Sequence, residues 1–344
     1  MGAREDGRAV AADMVEAANG AARNGEAKNG ATSNGHVSEK HTRKEESGGD
    51  AAAKQSAKQS AKKSAKKTTQ QQKPKRKRGA KLRVRQRVGK YRVEGRLGTG
   101  GFARVYLAMD TIEGVRVALK VPYAELVTDA VMKDFRNEVR ITAQLDHPNI
   151  LPLKDASMID GRFVLTYPLG ERSLAERLQK RMSVHTALDY AGQILEALAY
   201  AHGNRIVHCD VKPDNIILFE DNRARLADFG IAKVAQKTLR GKGTGTVGHM
   251  APEQAMGKPT MRSDVFSAGL IIYRMLTSRW PEWPYEWPFP GHEKLRGRVH
   301  PEMIRFLKRA TEVSQRKRYR DGWQMLEAFE QARAKTERYL ARRR

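Results

Sequence analysis

Three glycines, Gly98, Gly100 and Gly101, fall in the run LGTGGFARVY, and a lysine, Lys120, closes the run VALK at 117–120. Backbone without side chains can approach a polyphosphate closely, and an ammonium group can neutralise it, so the two runs together have the chemistry of a nucleotide-phosphate site. Thr99 completes the turn, Phe102 can cap it, and Val105 can lie against a purine. The glycines alone fit equally well a hairpin turn in any antiparallel sheet. Lys120 narrows the choice, because its run reads as a strand antiparallel to the glycine hairpin, which brings the lysine beneath the turn. A dinucleotide-binding unit would need the glycines to open a helix, and here a strand follows them. An ammonium beside polyphosphate also needs a carboxylate to position it. The segment 129–145 has helical periodicity, with Val131, Phe135, Val139 and Thr142 on one face, and it offers Glu138. A solvated surface charge is the other reading of that glutamate.

These residues need a folded body, and composition marks where one can start. The chain has 344 residues with 65 Lys and Arg against 39 Asp and Glu, a net charge of +26. Residues 1–50 carry 7 basic and 9 acidic side chains, whereas 51–88 carry 15 basic and none acidic. Every aromatic residue lies from Tyr91 onward, and the first 80 residues hold five of the set Val, Ile, Leu and Met, so a disordered tail is expected over 1–88. Within it the unit AKQS, AKQS, AKKS repeats, followed by KPKRKR and KLRVRQR. Made helical on a polyanion, the repeat would set Lys54, Lys58, Lys62 and Lys66 along one face. Non-specific contact with nucleic acid or an anionic surface through 51–88 is the expectation, and a solubilising tether is the plainer alternative.

Beyond the tail, strand-like runs occupy 91–97, 103–109 and 115–121, and helical patterns occupy 183–202, with Ser183 as N-cap, and 263–276. The single cysteine, Cys209, excludes a disulfide framework and a cysteine-rich zinc site. The longest apolar stretch, 268–273, is far too short to cross a bilayer, and the N-terminus has no apolar leader. The expectation is no transmembrane segment and a cytoplasmic location, with the nucleoid as a place the basic tail would favour and the nucleus if the source is eukaryotic.

Further on, 206–218 read IVHCDVKPDNIIL, 228–230 read DFG and 251–253 read APE. With the glycine run and VALK, in this order and spacing, the sequence resembles the eukaryotic-type serine/threonine protein kinase family, most like its bacterial members, over about 91–333. The resemblance implies an α+β, two-lobed protein kinase fold. A small β-rich N-lobe with one main helix would span 89–167, a larger helical C-lobe 168–335, and a basic C-terminal end 336–344. It also implies transfer of the γ-phosphoryl of ATP, with Mg2+, to a Ser or Thr of a protein substrate.

Phosphoryl transfer needs an in-line hydroxyl, a group to accept its proton, and cations to absorb charge. By resemblance Asp210 orients the hydroxyl and takes its proton, Lys212 neutralises the γ-phosphate, and Asn215 and Asp228 are the magnesium ligands. Lys120 and Glu138 complete the catalytic set. The nucleotide would lie against Gly98, Thr99, Gly100, Gly101, Phe102, Val105, Ala118, Lys120, Leu165, Tyr167 and Ile217, with Leu165 as gatekeeper and 166–168 as hinge. Asp264 is expected to hydrogen-bond the backbone of the catalytic loop, and Glu253 to pair with Arg318.

Several positions depart from the family pattern. Cys209 stands where many members have arginine before the catalytic aspartate, which implies activity without a phosphorylated activation loop. Thr246 matches the threonine that floors the acceptor site, but Val247 and His249 replace the usual residues around it. Thr142 stands where a bulky apolar residue is usual, which implies a weakened hydrophobic column. In RWPEWPYEWPFPG, Trp280, Trp283 and Trp287 each precede proline, so this is no regular helix. It is either a rigid loop packed on the C-lobe or an exposed aromatic docking face. Three competing functions are a small-molecule phosphotransferase, a pseudokinase and a nucleic-acid-binding protein. The presence of Lys120, Asp210 and Asp228 counts against the pseudokinase.

Overall fold

The computed structural model describes residues 81–343 apart from 127–131, 134, 135, 137, 138, 141 and 230–249. An antiparallel sheet forms the N-lobe from β1 (Arg87–Val88), β2 (Tyr91–Thr99), β3 (Ala103–Asp110), β4 (Val115–Pro122), β5 (Asp155–Ile159) and β6 (Arg162–Pro168). Its order is β1-β2-β3-β4-β6-β5. Alternation along β4 decides what faces the cleft. Val117, Leu119 and Val121 are buried with Tyr91, Val93, Tyr106 and Val164, so Ala118 and Lys120 turn to the opposite face. The described residues between 132 and 142 are helical, and Met132 and Val139 pack on the cluster that contains Phe102, Leu165 and Tyr167.

The ordered lobe begins earlier than the boundary expected at residue 89. Residues 81–88 belong to it: Leu82 and Val88 are buried in its core, β1 pairs with β2, and the Leu82 N–H donates to the Tyr106 hydroxyl at 3.3 Å. Two apolar anchors among basic neighbours suffice to dock a short edge strand whose charged side chains point to water.

Four long helices build the described C-lobe: α1 (Val184–Gly203), α2 (Met261–Thr277), α3 (Pro301–Ala310) and α4 (Gly322–Ala341). Ser183 caps α1 as expected, its hydroxyl accepting the Thr186 N–H at 3.0 Å. In α2 almost every residue from Ser263 to Thr277 is buried, the pattern of a helix enclosed on all sides. The start of α4 lies so close to α1 that a Cβ on Gly322 would meet the Ala199 nitrogen at 2.7 Å, which only glycine avoids. The small sheet β7 (Arg172–Ser173), β8 (Ile216–Leu218) and β9 (Ala224–Leu226) carries the cleft-side loops.

The tryptophan–proline segment packs as a loop. Trp280 and Trp287 lie against the C-lobe core, and Trp287 meets Tyr273 and Phe289 edge-on at ring-centroid distances of 6.0 and 5.1 Å. Trp283 is the exception, 66% exposed.

Candidate active site

The loop around Asp210 is held from below by Asp264 of α2, as the sequence led us to expect. Its Oδ2 accepts the His208 N–H at 2.7 Å and its Oδ1 accepts the Cys209 N–H at 2.9 Å. His202 of α1 supplies a third donor. Its Nδ1 accepts the Gly322 N–H at 2.7 Å, so the ring proton sits on Nε2 and is donated to Asp264 Oδ2 at 3.0 Å. Three donors thus converge on one buried carboxyl group, which leaves its oxygens well satisfied. The same logic fixes His208, whose Nδ1 accepts the Asp210 N–H at 3.1 Å and whose Nε2–H donates to the Ala227 carbonyl at 2.8 Å.

These bonds hold backbone that would not choose its conformation. Cys209 has φ 66° and Asp228 has φ 67°, the left-handed region, which costs an ordinary residue roughly 1 kcal/mol or more. Gln254 adds a further restraint, donating from Nε2 to the Cys209 carbonyl at 2.6 Å. Beneath it Glu253 and Arg318 form a buried two-pronged pair, Nη1–Oε1 at 2.7 Å and Nη2–Oε2 at 3.1 Å. All five guanidinium protons are used, the remaining three on the carbonyls of Arg262, Glu312 and Val313. Burial pushes the Glu253 carboxyl up, but the hydrogen bonds from Arg318 and Ser263 outweigh it and leave the group below its ordinary range.

In the cleft above, Lys212 Nζ lies 2.8 Å from Asp210 Oδ2. Asn215 donates from Nδ2 to the Asp210 carbonyl at 2.8 Å and to Asp210 Oδ2 at 2.9 Å. The Ala227 N–H donates to the Asn215 carbonyl at 2.7 Å, which seats Asp228 beside this group. Burial lowers the Lys212 pKa, but the nearby Asp210 charge and hydrogen bond raise it further, and the net direction is up. Burial likewise raises Asp228, and the Lys120 charge more than reverses this. Lys120 Nζ reaches Asp228 Oδ1 at 2.5 Å. Glu138, the partner expected for Lys120, lies outside the described residues, as do Thr246, Val247, His249 and the basic tail up to residue 80. For magnesium the donor chemistry fits: with the Asn215 amide protons turned on Asp210, that side chain offers its carbonyl oxygen, and Asp228 offers a carboxylate, both hard oxygen ligands.

The glycine turn connects β2 to β3, where Gly98 pairs with Val105 and Val105 with Lys120. Lys120 pairs in turn with Leu165, and Ala118 with Tyr167. Register therefore lines Val105, Ala118, Lys120, Leu165 and Tyr167 across one sheet, and Ile217 of β8 packs on the same cluster with Phe102, from the other lobe. Thr99, Gly100 and Gly101 are exposed at the tip. Gly170, just past β6, could carry no side chain, since a Cβ would meet Ile217 Cγ2 at 2.3 Å.

Four residues here have no counterpart in the sequence reading: His202, Gln254, Gly170 and Tyr123, whose hydroxyl donates to the Gly100 carbonyl at 2.7 Å. A polar residue on an otherwise apolar helix face marks His202; nothing in the local pattern marks the others. Thr142 has a partner that the expectation of a weakened hydrophobic column did not include. Its hydroxyl donates to the Phe229 carbonyl at 3.1 Å, so a hydrogen bond stands where a larger apolar contact was missing.

A family model described as the protein kinase domain matches residues 91–320, and the chain belongs to that family. It is 35% identical over 202 residues to the serine/threonine-protein kinase PrkC of Bacillus subtilis, covering 56% of this chain and 31% of PrkC. Against PknA of Mycobacterium tuberculosis it is 37% identical over 206 residues, 56% of this chain and 48% of PknA. The match thus spans between about a third and a half of these relatives. Among solved structures, the PknI kinase domain of Mycobacterium tuberculosis aligns with TM-score 0.59 at 23% identity, covering 73% of this chain and 100% of that one. A structure titled PpkA-294 apo form aligns with TM-score 0.62 at 19% identity, covering 72% and 99%. At such identities these two establish the fold.

Proposed function

We propose that the protein is an ATP- and magnesium-dependent serine/threonine protein kinase. The observation that carries this reading is the convergence of Asp210, Lys212, Asn215, Asp228 and Lys120 in one cleft under a glycine turn. Asp210 orients the acceptor hydroxyl and accepts its proton, and Asn215 holds the carboxylate in place for both tasks. Lys212, already beside Asp210, offers its ammonium to the transferring phosphoryl group. Lys120 exchanges its contact with Asp228 for the nucleotide phosphates, which releases the Asp228 carboxylate as a ligand. Magnesium, when bound, spreads the charge of the phosphates. Val105, Ala118, Leu165, Tyr167 and Ile217 form the apolar walls that suit a purine. Because Cys209 offers no guanidinium, transfer proceeds without a phosphate on the activation loop.

The experiment is transfer of labelled γ-phosphate from ATP to a generic basic protein, with Asp210→Asn as control. Transfer to serine or threonine that disappears in the variant supports the reading. A wild-type protein that transfers nothing, or transfers only to small hydroxyl compounds, rejects it.

The segment 51–88, with 15 basic residues and none acidic, supports a second role, concentrating the enzyme on polyanions through phosphate contact without base readout. Deleting residues 1–80, which leaves the docked strand intact, should abolish salt-sensitive binding to DNA and to anionic vesicles while phosphorylation of a peptide in dilute solution continues. Equal binding by the truncated chain would return the tail to a tether.

A further inference from the structure

The glycine turn is almost without packing. A Cβ at Gly98 or Gly101 would meet nothing within 4 Å, and one at Gly100 would meet only the Ala103 carbonyl, at 3.6 Å. Glycine backbone also has the most conformational freedom to lose, so whatever orders this turn must do so by hydrogen bonds. Within the hairpin, the Gly100 N–H donates to the Ala103 carbonyl at 2.9 Å. From outside it, among the described residues, Tyr123 just past the end of β4 reaches in twice: its N–H donates to the Phe102 carbonyl at 2.9 Å, and its hydroxyl donates to the Gly100 carbonyl at 2.7 Å. The ring is itself fixed, because the Arg104 guanidinium lies 4.4 Å from its centroid. Burial pushes the phenol up from its ordinary range, so it remains a protonated donor at neutral pH.

We propose that Tyr123 is a positioning residue for the nucleotide phosphates, latching the glycine turn so that its amides are aimed before the nucleotide arrives. This rests on the kinase reading above. Peptide planarity supplies the mechanism. In a trans peptide the C=O and N–H point in opposite directions, so a hydroxyl bound to the Gly100 carbonyl sends the Gly101 N–H away from Tyr123. Without that bond the Gly100–Gly101 peptide is free to flip, and the phosphates must order it on binding, at a cost in affinity. The latch touches only the phosphate end of the site and therefore discriminates between ligands. ATP and ADP depend on it, and adenosine, which has no phosphate, does not.

Tyr123→Phe removes the hydroxyl and keeps the ring on Arg104. Affinities of the full chain for ADP and adenosine, each with Mg2+, are measured by titration calorimetry. ADP binding should weaken about 3- to 10-fold, the span of one net hydrogen bond, while adenosine binding stays the same. In the transfer assay the loss should appear in the KM for ATP more than in kcat. Unchanged ADP affinity in the variant overturns the latch, and so does equal weakening of ADP and adenosine, which would make Tyr123 a general support of the lobe. A wild-type chain that binds neither ligand overturns the kinase reading, and the latch with it.

Discussion

Two sets of charged residues meet at the catalytic loop and are built in opposite ways. Below the loop, Asp264, Glu253 and Arg318 are buried, and their hydrogen bonds run to fixed protein groups. In the cleft, the Lys120, Asp228, Asp210 and Lys212 side chains are 15%, 27%, 34% and 30% exposed and are paired with one another. A buried charge with all its donors and acceptors used cannot change partners without a large cost. A partly exposed pair can, because water takes up what is released. The lower set therefore gives position, and the upper set is free to exchange partners, as the proposed transfer requires. The strained φ values of Cys209 and Asp228 occur where the two meet.

The comparison breaks most visibly at Arg318. Arg318→Ala leaves Glu253 buried without its partner and should destabilise the chain by about 3–5 kcal/mol, read as a fall in the denaturant midpoint. Pairing it with Glu253→Gln should recover part of the loss. The pH dependence follows from the direction of the shift. Glu253 sits below its ordinary value of 4.5, so its stabilising contribution is complete above that value and disappears as pH falls through the lowered one. In Arg318→Ala the strongest lowering contact is gone while the Ser263 hydrogen bond remains, so the carboxyl moves up, less stability is lost on its protonation, and the stability gap between variant and wild type should narrow as pH falls. A stability gap that is the same at neutral and acid pH would show that the pair is not what holds the lower set.

The upper set should respond in the other currency, activity. Lys120→Met and Asp228→Asn each should lower transfer about 100-fold or more, with little change in the thermal midpoint. Asparagine is the better probe at 228, since it tolerates the left-handed backbone there. A variant that unfolds instead would place these residues with the lower set.

Much of this division was legible in the sequence, because the residues that do chemistry lie in short ordered runs and their elements follow simple periodicity. The alternation in VALKV alone puts Lys120 on the cleft face, and Ser183 starts α1 where its hydroxyl can cap it. What stayed hidden was long-range or backbone-directed. Tyr123 reaches a carbonyl 23 residues away, and His202 receives an N–H from 120 residues away; bonds to backbone leave no mark on the partner's side-chain type. The start of the N-lobe was missed for another reason. Basic charge dominates 81–88, and the two apolar residues that dock it are outnumbered by Lys81, Arg83, Arg85 and Arg87.

The smallest effect expected is at the joint between the two sets. Thr142 is buried, and its hydroxyl reaches the carbonyl of Phe229, the residue after Asp228. Phe229 in turn meets His208 at a tilt with ring centroids 4.5 Å apart, so this bond connects the helical residues at 132–142 to both Asp228 and the loop around Asp210. Thr142→Val has nearly the same shape and deletes only the donor. The Phe229 carbonyl then loses a partner worth about 1 kcal/mol, and transfer should fall between about 2- and 5-fold with the thermal midpoint nearly unchanged. Thr142→Ser, which keeps the hydroxyl, should restore most of the rate. If valine is as active as threonine, the bond is incidental and packing alone sets Phe229. If serine fails to rescue, the threonine methyl matters rather than the hydroxyl, and the missing bulk at this position has been replaced by contact and not by hydrogen bonding.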